Sequence, residues 1–83
     1  MDNELFEKIT PELNKIANRG IYYAGLGNMY YEEIGEQNVE DGFEDLWKKF
    51  PEASVELKAK AKDYVKNAID KGERLPEILY KNH

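Results

Sequence analysis

Apolar residues recur at helical spacing along most of the chain, and the interruptions fall at prolines and glycines. Leu5, Phe6 and Ile9 form a first short apolar face, with Asn3 placed as an N-cap and Glu4 in the first turn. Thr10-Pro11 interrupts it. Proline suits the first position of a helix and is costly inside one, so the pair predicts a new start capped by Thr10. From there Leu13, Ile16, Ala17 and Gly20 continue a 3.6-residue period.

The stretch from Gly20 to Glu33 admits two readings. At helical spacing Ala17, Gly20, Ala24 and Gly27 make a stripe of small side chains, continued by Tyr31, that lets another helix approach closely. Tyr23 and Tyr30 flank the stripe, and Tyr22, Leu26 and Met29 share the adjacent face. At strand spacing the same residues give Ile21–Ala24 and Met29–Glu33 joined by Gly25-Leu26-Gly27-Asn28, which is a hairpin. The hairpin would place tyrosine on both of its faces, at Tyr22-Tyr23 and again at Tyr30-Tyr31. A helix that runs on through the stretch is therefore the preferred expectation, and an α+β fold with a β-hairpin at 21–33 is the alternative.

Beyond it, the polar run Glu36-Gln37-Asn38-Val39 predicts a break, and Asp41-Gly42-Phe43-Glu44 has the form of a capping box. Phe43, Leu46, Trp47 and Phe50 then follow the i, i+3, i+4, i+7 rule. That helix ends at Phe50, because a residue before proline is pushed out of helical geometry. A last long helix begins at Pro51 or Ser54, with Leu57, Ala61, Tyr64, Val65, Ala68 and Ile69 on its inner face. Gly72 is its stop. Leu75-Pro76-Glu77-Ile78-Leu79-Tyr80 predicts one more turn, packing Leu75, Ile78 and Leu79. Together these elements define an all-α protein, a small antiparallel helical bundle or helical hairpin of three to four helices, in a single domain over residues 1–83.

Composition narrows the function. A chain of 83 residues buries about 60–65% of its unfolded surface, so its core is thin and dimerisation would add to it. Cysteine is absent, which removes thiol catalysis, cysteine-ligated zinc and a disulfide framework. Neither a secretory signal nor an apolar run long enough to span a membrane is visible, so a cytoplasmic location is expected.

The net charge of −5 is unevenly spread. Glu32, Glu33, Glu36, Glu40, Asp41, Glu44 and Asp45 crowd one segment that has no basic residue. Lys58, Lys60, Lys62, Lys66, Lys71 and Arg74 dominate a later one. Antiparallel packing would bring the two segments together, at about 0–1 kcal/mol for each exposed pair. Alternatively the acidic segment is a surface for a basic partner, or an imitation of phosphates. The basic segment sits in an acidic protein, and direct nucleic acid binding is not expected.

Catalytic chemistry is scarce. The one histidine is the terminal His83, Thr10 and Ser54 read as helix caps, and Gly25-Leu26-Gly27 lacks the third glycine of a dinucleotide loop. Glu33, Glu36 and Glu40 are spaced to share a helix face. An EF-hand register that uses Gly42 puts Gln37, Val39 and Lys48 at ligand positions, and di-iron bundles need Glu-x-x-His pairs. No catalytic, cofactor-binding or metal-ligating residue is assigned, and no cofactor is expected.

The succession Ala24-Gly25-Leu26-Gly27, Glu32-Glu33, Phe43-x-x-Leu46-x-Lys48 and a lysine-rich helix ending in Lys71-Gly72-Glu73 resembles the phasins and phasin-like regulators. Those are small helical proteins of polyhydroxyalkanoate granules, and the likeness runs from Gly20 to Glu73. It implies a non-enzymatic coat or regulatory role carried by amphipathic helices. The expected function is thus surface binding without catalysis. The alternative is an acidic inhibitor, of the kind phages and mobile elements encode, that occupies a basic groove on a nucleic-acid-processing enzyme. Expected partners are a protein, a granule surface or a second copy in a homodimer. The candidate contact residues are Glu32, Glu33, Glu36, Glu40, Glu44, Tyr22, Tyr30 and Trp47.

Overall fold

A computed structural model describes residues 2–77. Three helices follow one another: α1 (Asp2–Ala24), α2 (Met29–Lys49) and α3 (Val55–Lys71). There is no strand among the described residues. Ile21–Ala24 closes α1 and Met29–Glu33 opens α2, so the hairpin alternative at 21–33 does not hold.

The first helix is the hub. Ile9, Leu13, Ile16 and Ala17 lie on one face of α1 and are buried. They meet Phe43 and Leu46 of α2, and Ala61, Val65 and Ala68 of α3. The inner faces of the second and third helices are those the apolar spacing predicts. α1 packs against both neighbours, while α2 and α3 do not pack on each other. The fold is accordingly flat, 39 × 33 × 18 Å, with one side of the helix triangle left open.

Four boundaries differ from expectation, the first being that α1 starts at Asp2, with Asn3 inside the helix and not capping it. α1 does not restart at Thr10-Pro11; it runs through with Pro11 inside. The Thr10 hydroxyl donates 2.7 Å back to the Phe6 carbonyl instead of capping a new helix. Ile9 and Leu13, fully buried on either side, hold the helix across the proline, so packing overrides a local cost of about 3 kcal/mol.

The helix also fails to run on past Ala24. Gly27 takes a left-handed φ of 66°, and Asn28 caps α2 by accepting 2.8 Å from the Tyr30 N–H. Keeping Gly25 and Gly27 inside one long helix would cost about 1 kcal/mol each, and the turn avoids this.

Finally, α2 has no break at 36–39. Asp41 is not a cap; its carboxylate accepts from Gln37 Nε2 at 2.9 Å, one turn away. What favours continuity is close approach to α1 at two glycines seven residues apart. A Cβ on Gly35 would lie 2.9 Å from Tyr23 Cβ, and one on Gly42 2.9 Å from Ile16 Cγ1. The small-residue stripe of α1 works in the same way at Gly20, where a Cβ would collide with Ile69 Cδ1 of α3 and lie 3.2 Å from Val39 Cγ2 of α2. Gly27, at the end of that stripe, belongs to the turn instead.

Other local signals hold. Phe50 is the C-cap of α2, Ser54 accepts 3.0 Å from the Leu57 N–H at the start of α3, and Gly72 closes α3 with φ of 70°. The segment after Gly72 is not helical as far as Glu77. The rest of the turn foreseen there, Ile78 to Tyr80, lies outside the described residues, as does His83.

Residues 73–77 return along α1 as a strap held by two buried asparagines. Asn18 Nδ2 donates to the Leu75 carbonyl (2.8 Å) and to Glu77 Oε2 (2.9 Å), and Asn18 Oδ1 accepts from the Leu75 N–H (2.8 Å). One turn earlier, Asn14 Nδ2 donates to the Pro76 carbonyl, and its oxygen accepts from the Tyr64 hydroxyl at 2.7 Å. Helical spacing distinguishes neither asparagine from an ordinary surface residue. Polar residues on a buried helix face are affordable only when every donor and acceptor finds a partner, which happens here.

Candidate functional site

The open side of the triangle is a groove of about 830 Å³. Its floor is Gly20 and Ala24 of α1, with Val39, Phe43 and Trp47 on one side and Val65 and Ile69 on the other. Small residues keep it deep. Gly20 lets Val39 and Ile69 come down against α1, and Ala24 adds little bulk at the end nearest the turn.

One wall is acidic. Glu32, Glu36, Glu40 and Glu44 lie four residues apart along α2 and all line the groove. They span three turns, about 18 Å. Glu44 pairs with Lys48 on its own helix at 3.8 Å, and among the described residues no cation lies within ion-pair distance of Glu32, Glu36 or Glu40. The facing wall on α3 carries Lys62, Asp63, Lys66 and Asp70, where the charges cancel. Of the basic segment only Lys62 and Lys66 line the wall opposite the acidic one, so the packing of acidic against basic segment expected from the sequence is not formed. The two walls stand across a gap, and no ion pair joins them among the described residues.

Trp47 closes the far end. It is half-buried, stacked on Phe43 at 6.0 Å between centroids, with Lys58 Nζ 5.8 Å from its ring. Five of the eight candidate contact residues are therefore brought together: Glu32, Glu36, Glu40, Glu44 and Trp47. Glu33 points elsewhere on α2 and is exposed. Tyr22 (61% exposed) packs edge-on against Tyr23 beside a smaller cleft with Arg19 and Asn38. Tyr30 (65% exposed) stands at the tip of the α1–α2 turn with Leu26 and Met29.

The acidic wall is only partly legible in the sequence: the carboxylates are dense there, but the break expected at 36–39 divides Glu32 and Glu36 from Glu40 and Glu44, and only the continuous α2 lines them up in one row. The other wall is not legible. Lys62, Lys66, Val65 and Ile69 read as an outer and an inner face of an ordinary packed helix, and nothing local reveals that α3 stands away from α2.

Among the described residues no three acidic or histidine side chains converge closely enough to hold a metal ion. No helix there is long and apolar enough to cross a membrane. Burial pushes the Tyr64 phenol above its usual value, on the strap side of the molecule and away from the groove. Among the described residues, fold and groove together define an all-helical protein of three packed helices with an open cleft between α2 and α3. No protein-family model, curated protein or solved structure matches the chain.

Proposed function

We propose that this is a non-catalytic interaction protein that works by accepting a partner's helix or segment between α2 and α3. The observation that carries the reading is the groove itself, an apolar-lined cleft whose charged α2 rim runs about three turns. That is the form in which grooves take amphipathic helices. Among the described residues its lining contains no histidine, cysteine, serine or threonine, which suits contact better than bond-making. The cluster at the α1–α2 tip (Tyr22, Leu26, Met29, Tyr30) adds exposed apolar surface at one end of the molecule and supports a second reading, contact with a granule surface of the phasin kind.

Site-specific photocross-linking in host cells separates them. A photoreactive residue at Lys62 in the groove should trap a protein, and the same residue at Lys15, outside it, should not. Cross-links confined to Met29 or Tyr30, together with granule co-sedimentation, would instead favour the coat reading. Equal trapping at all positions would refute the groove as the contact surface.

A further inference from the structure

Resting on that reading, we infer that the groove's occupant is an amphipathic helix whose one flank is basic at four-residue spacing. The charges decide this. Six carboxylates and two ammonium groups line the groove, so it presents a net negative surface to whatever enters. The imbalance lies entirely on α2, where four glutamates form one row and at least three of them have no cationic neighbour among the described residues.

The geometry sets the spacing of the occupant's charges. A helix lying in the groove next to α2 meets a carboxylate once per turn, at steps of about 6 Å. Lysine or arginine at i, i+4 and i+8 on its near flank answers Glu32, Glu36 and Glu40 in sequence. Its far flank faces the balanced wall of Lys62, Asp63, Lys66 and Asp70 and needs no net charge. Its apolar stripe covers Val39, Phe43, Val65 and Ile69, and its end reaches Trp47.

A second copy is the weaker candidate for two reasons. The chain carries −5 overall, so self-docking adds like charge to like. Its own basic row, Lys58, Lys62 and Lys66, already stands on or beside the opposite wall of the same groove. A nucleic acid is excluded by the sign of the surface.

Trp47 is the sole tryptophan and reports the groove directly. The probe is a synthetic amphipathic peptide of about 18 residues, long enough to form five turns, with leucines on one stripe and lysines every fourth position on one flank. Its controls are the same peptide with glutamates for the lysines, and a scrambled peptide of identical composition. The lysine peptide should shift Trp47 emission and bind at least about tenfold tighter than either control, with the advantage over the glutamate peptide shrinking at high salt. Glu36→Lys with Glu40→Lys should reverse the preference and favour the glutamate peptide. Ala24→Phe, which fills the floor without touching charge, should weaken both.

Equal binding of the scrambled and ordered peptides overturns the inference, because it reduces the effect to bulk charge. Tighter binding of the glutamate peptide to the unaltered protein also overturns it. So does a concentration-dependent change in Trp47 emission that tracks dimer mass in light scattering, since a second copy then fills the groove. The last two outcomes leave the interaction reading standing and refute only the basic occupant. Failure of Lys62 to cross-link any partner refutes the reading itself.

Discussion

The two flanks of α1 solve the same problem in opposite ways. On the flank that faces the strap, a short non-helical segment closes the space beside α3, and two buried asparagines satisfy its backbone. On the other flank no described residue covers the space between α2 and α3, and the charged residues that frame it are glutamates, aspartates and lysines. The sealed flank shows that a chain this small can cover the side of its hub when the right polar partners are supplied. The open flank is therefore not a consequence of short length alone. Its acidic wall also disfavours closure from within: the four glutamates repel one another at i, i+4, and bringing them against apolar side chains would desolvate them.

The largest effect is expected where both flanks depend on one residue. Leu13→Ala empties a fully buried position on the hub face and should cost about 3 kcal/mol, lowering the melting temperature steeply in a domain this size. Both the strap and the groove should loosen together, which hydrogen exchange would report.

Next in size is a substitution that opens the sealed flank only. Asn18→Ala removes two donated bonds and one accepted bond, and leaves the Leu75 amide without its partner. A loss of about 2 kcal/mol is expected. The Leu75 amide should lose protection from exchange, while Trp47 emission stays unchanged. A parallel change in Trp47 would mean that the two flanks are not separable.

The same flank should give the protein an alkaline sensitivity. Burial raises the Tyr64 phenol, so its neutral form is favoured in the folded state relative to the unfolded one. The folded state then binds more protons as pH passes 10, and stability falls with rising pH through the raised value; below about pH 10 the contribution is fully present. Tyr64→Phe should remove this decline. It also removes the bond to Asn14, so its melting curve should lie below the parent's at neutral pH and approach it as pH rises.

The smallest effect belongs to the open flank. Glu40→Lys replaces two like-charge i, i+4 neighbours by two opposite ones, and should raise stability by about 0.5 kcal/mol in thermal or urea melts. A destabilisation would mean that Glu40 has a structural partner and that the wall is not simply solvated.

Much of the helical architecture was legible because its causes are local. Phe43 and Leu46, or Ala61, Val65 and Ala68, declare a buried helix face by spacing. Ser54 and Gly72 mark the ends of α3 by chemistry that acts within one turn. The misread boundaries are those where local preference and packing disagree. Thr10-Pro11 and Glu36–Val39 look like ends until Ile9 and Leu13, or Gly35 and Gly42, are seen pressed against neighbours far along the chain. At Gly25–Asn28 the disagreement went the other way, and two glycines with an asparagine cap outweighed a continuous small-residue stripe.

Helical character, the inner faces of the helices and a segment dense in carboxylates are all written locally, because period, capping and charge act over a few residues. That α1 is the hub, that Asn14 and Asn18 tie down the strap, and that the glutamates form one row along a groove the described residues leave open all come from the packed fold. Those depend on which residues meet across long stretches of chain, and pairwise closeness at that range leaves no periodic trace.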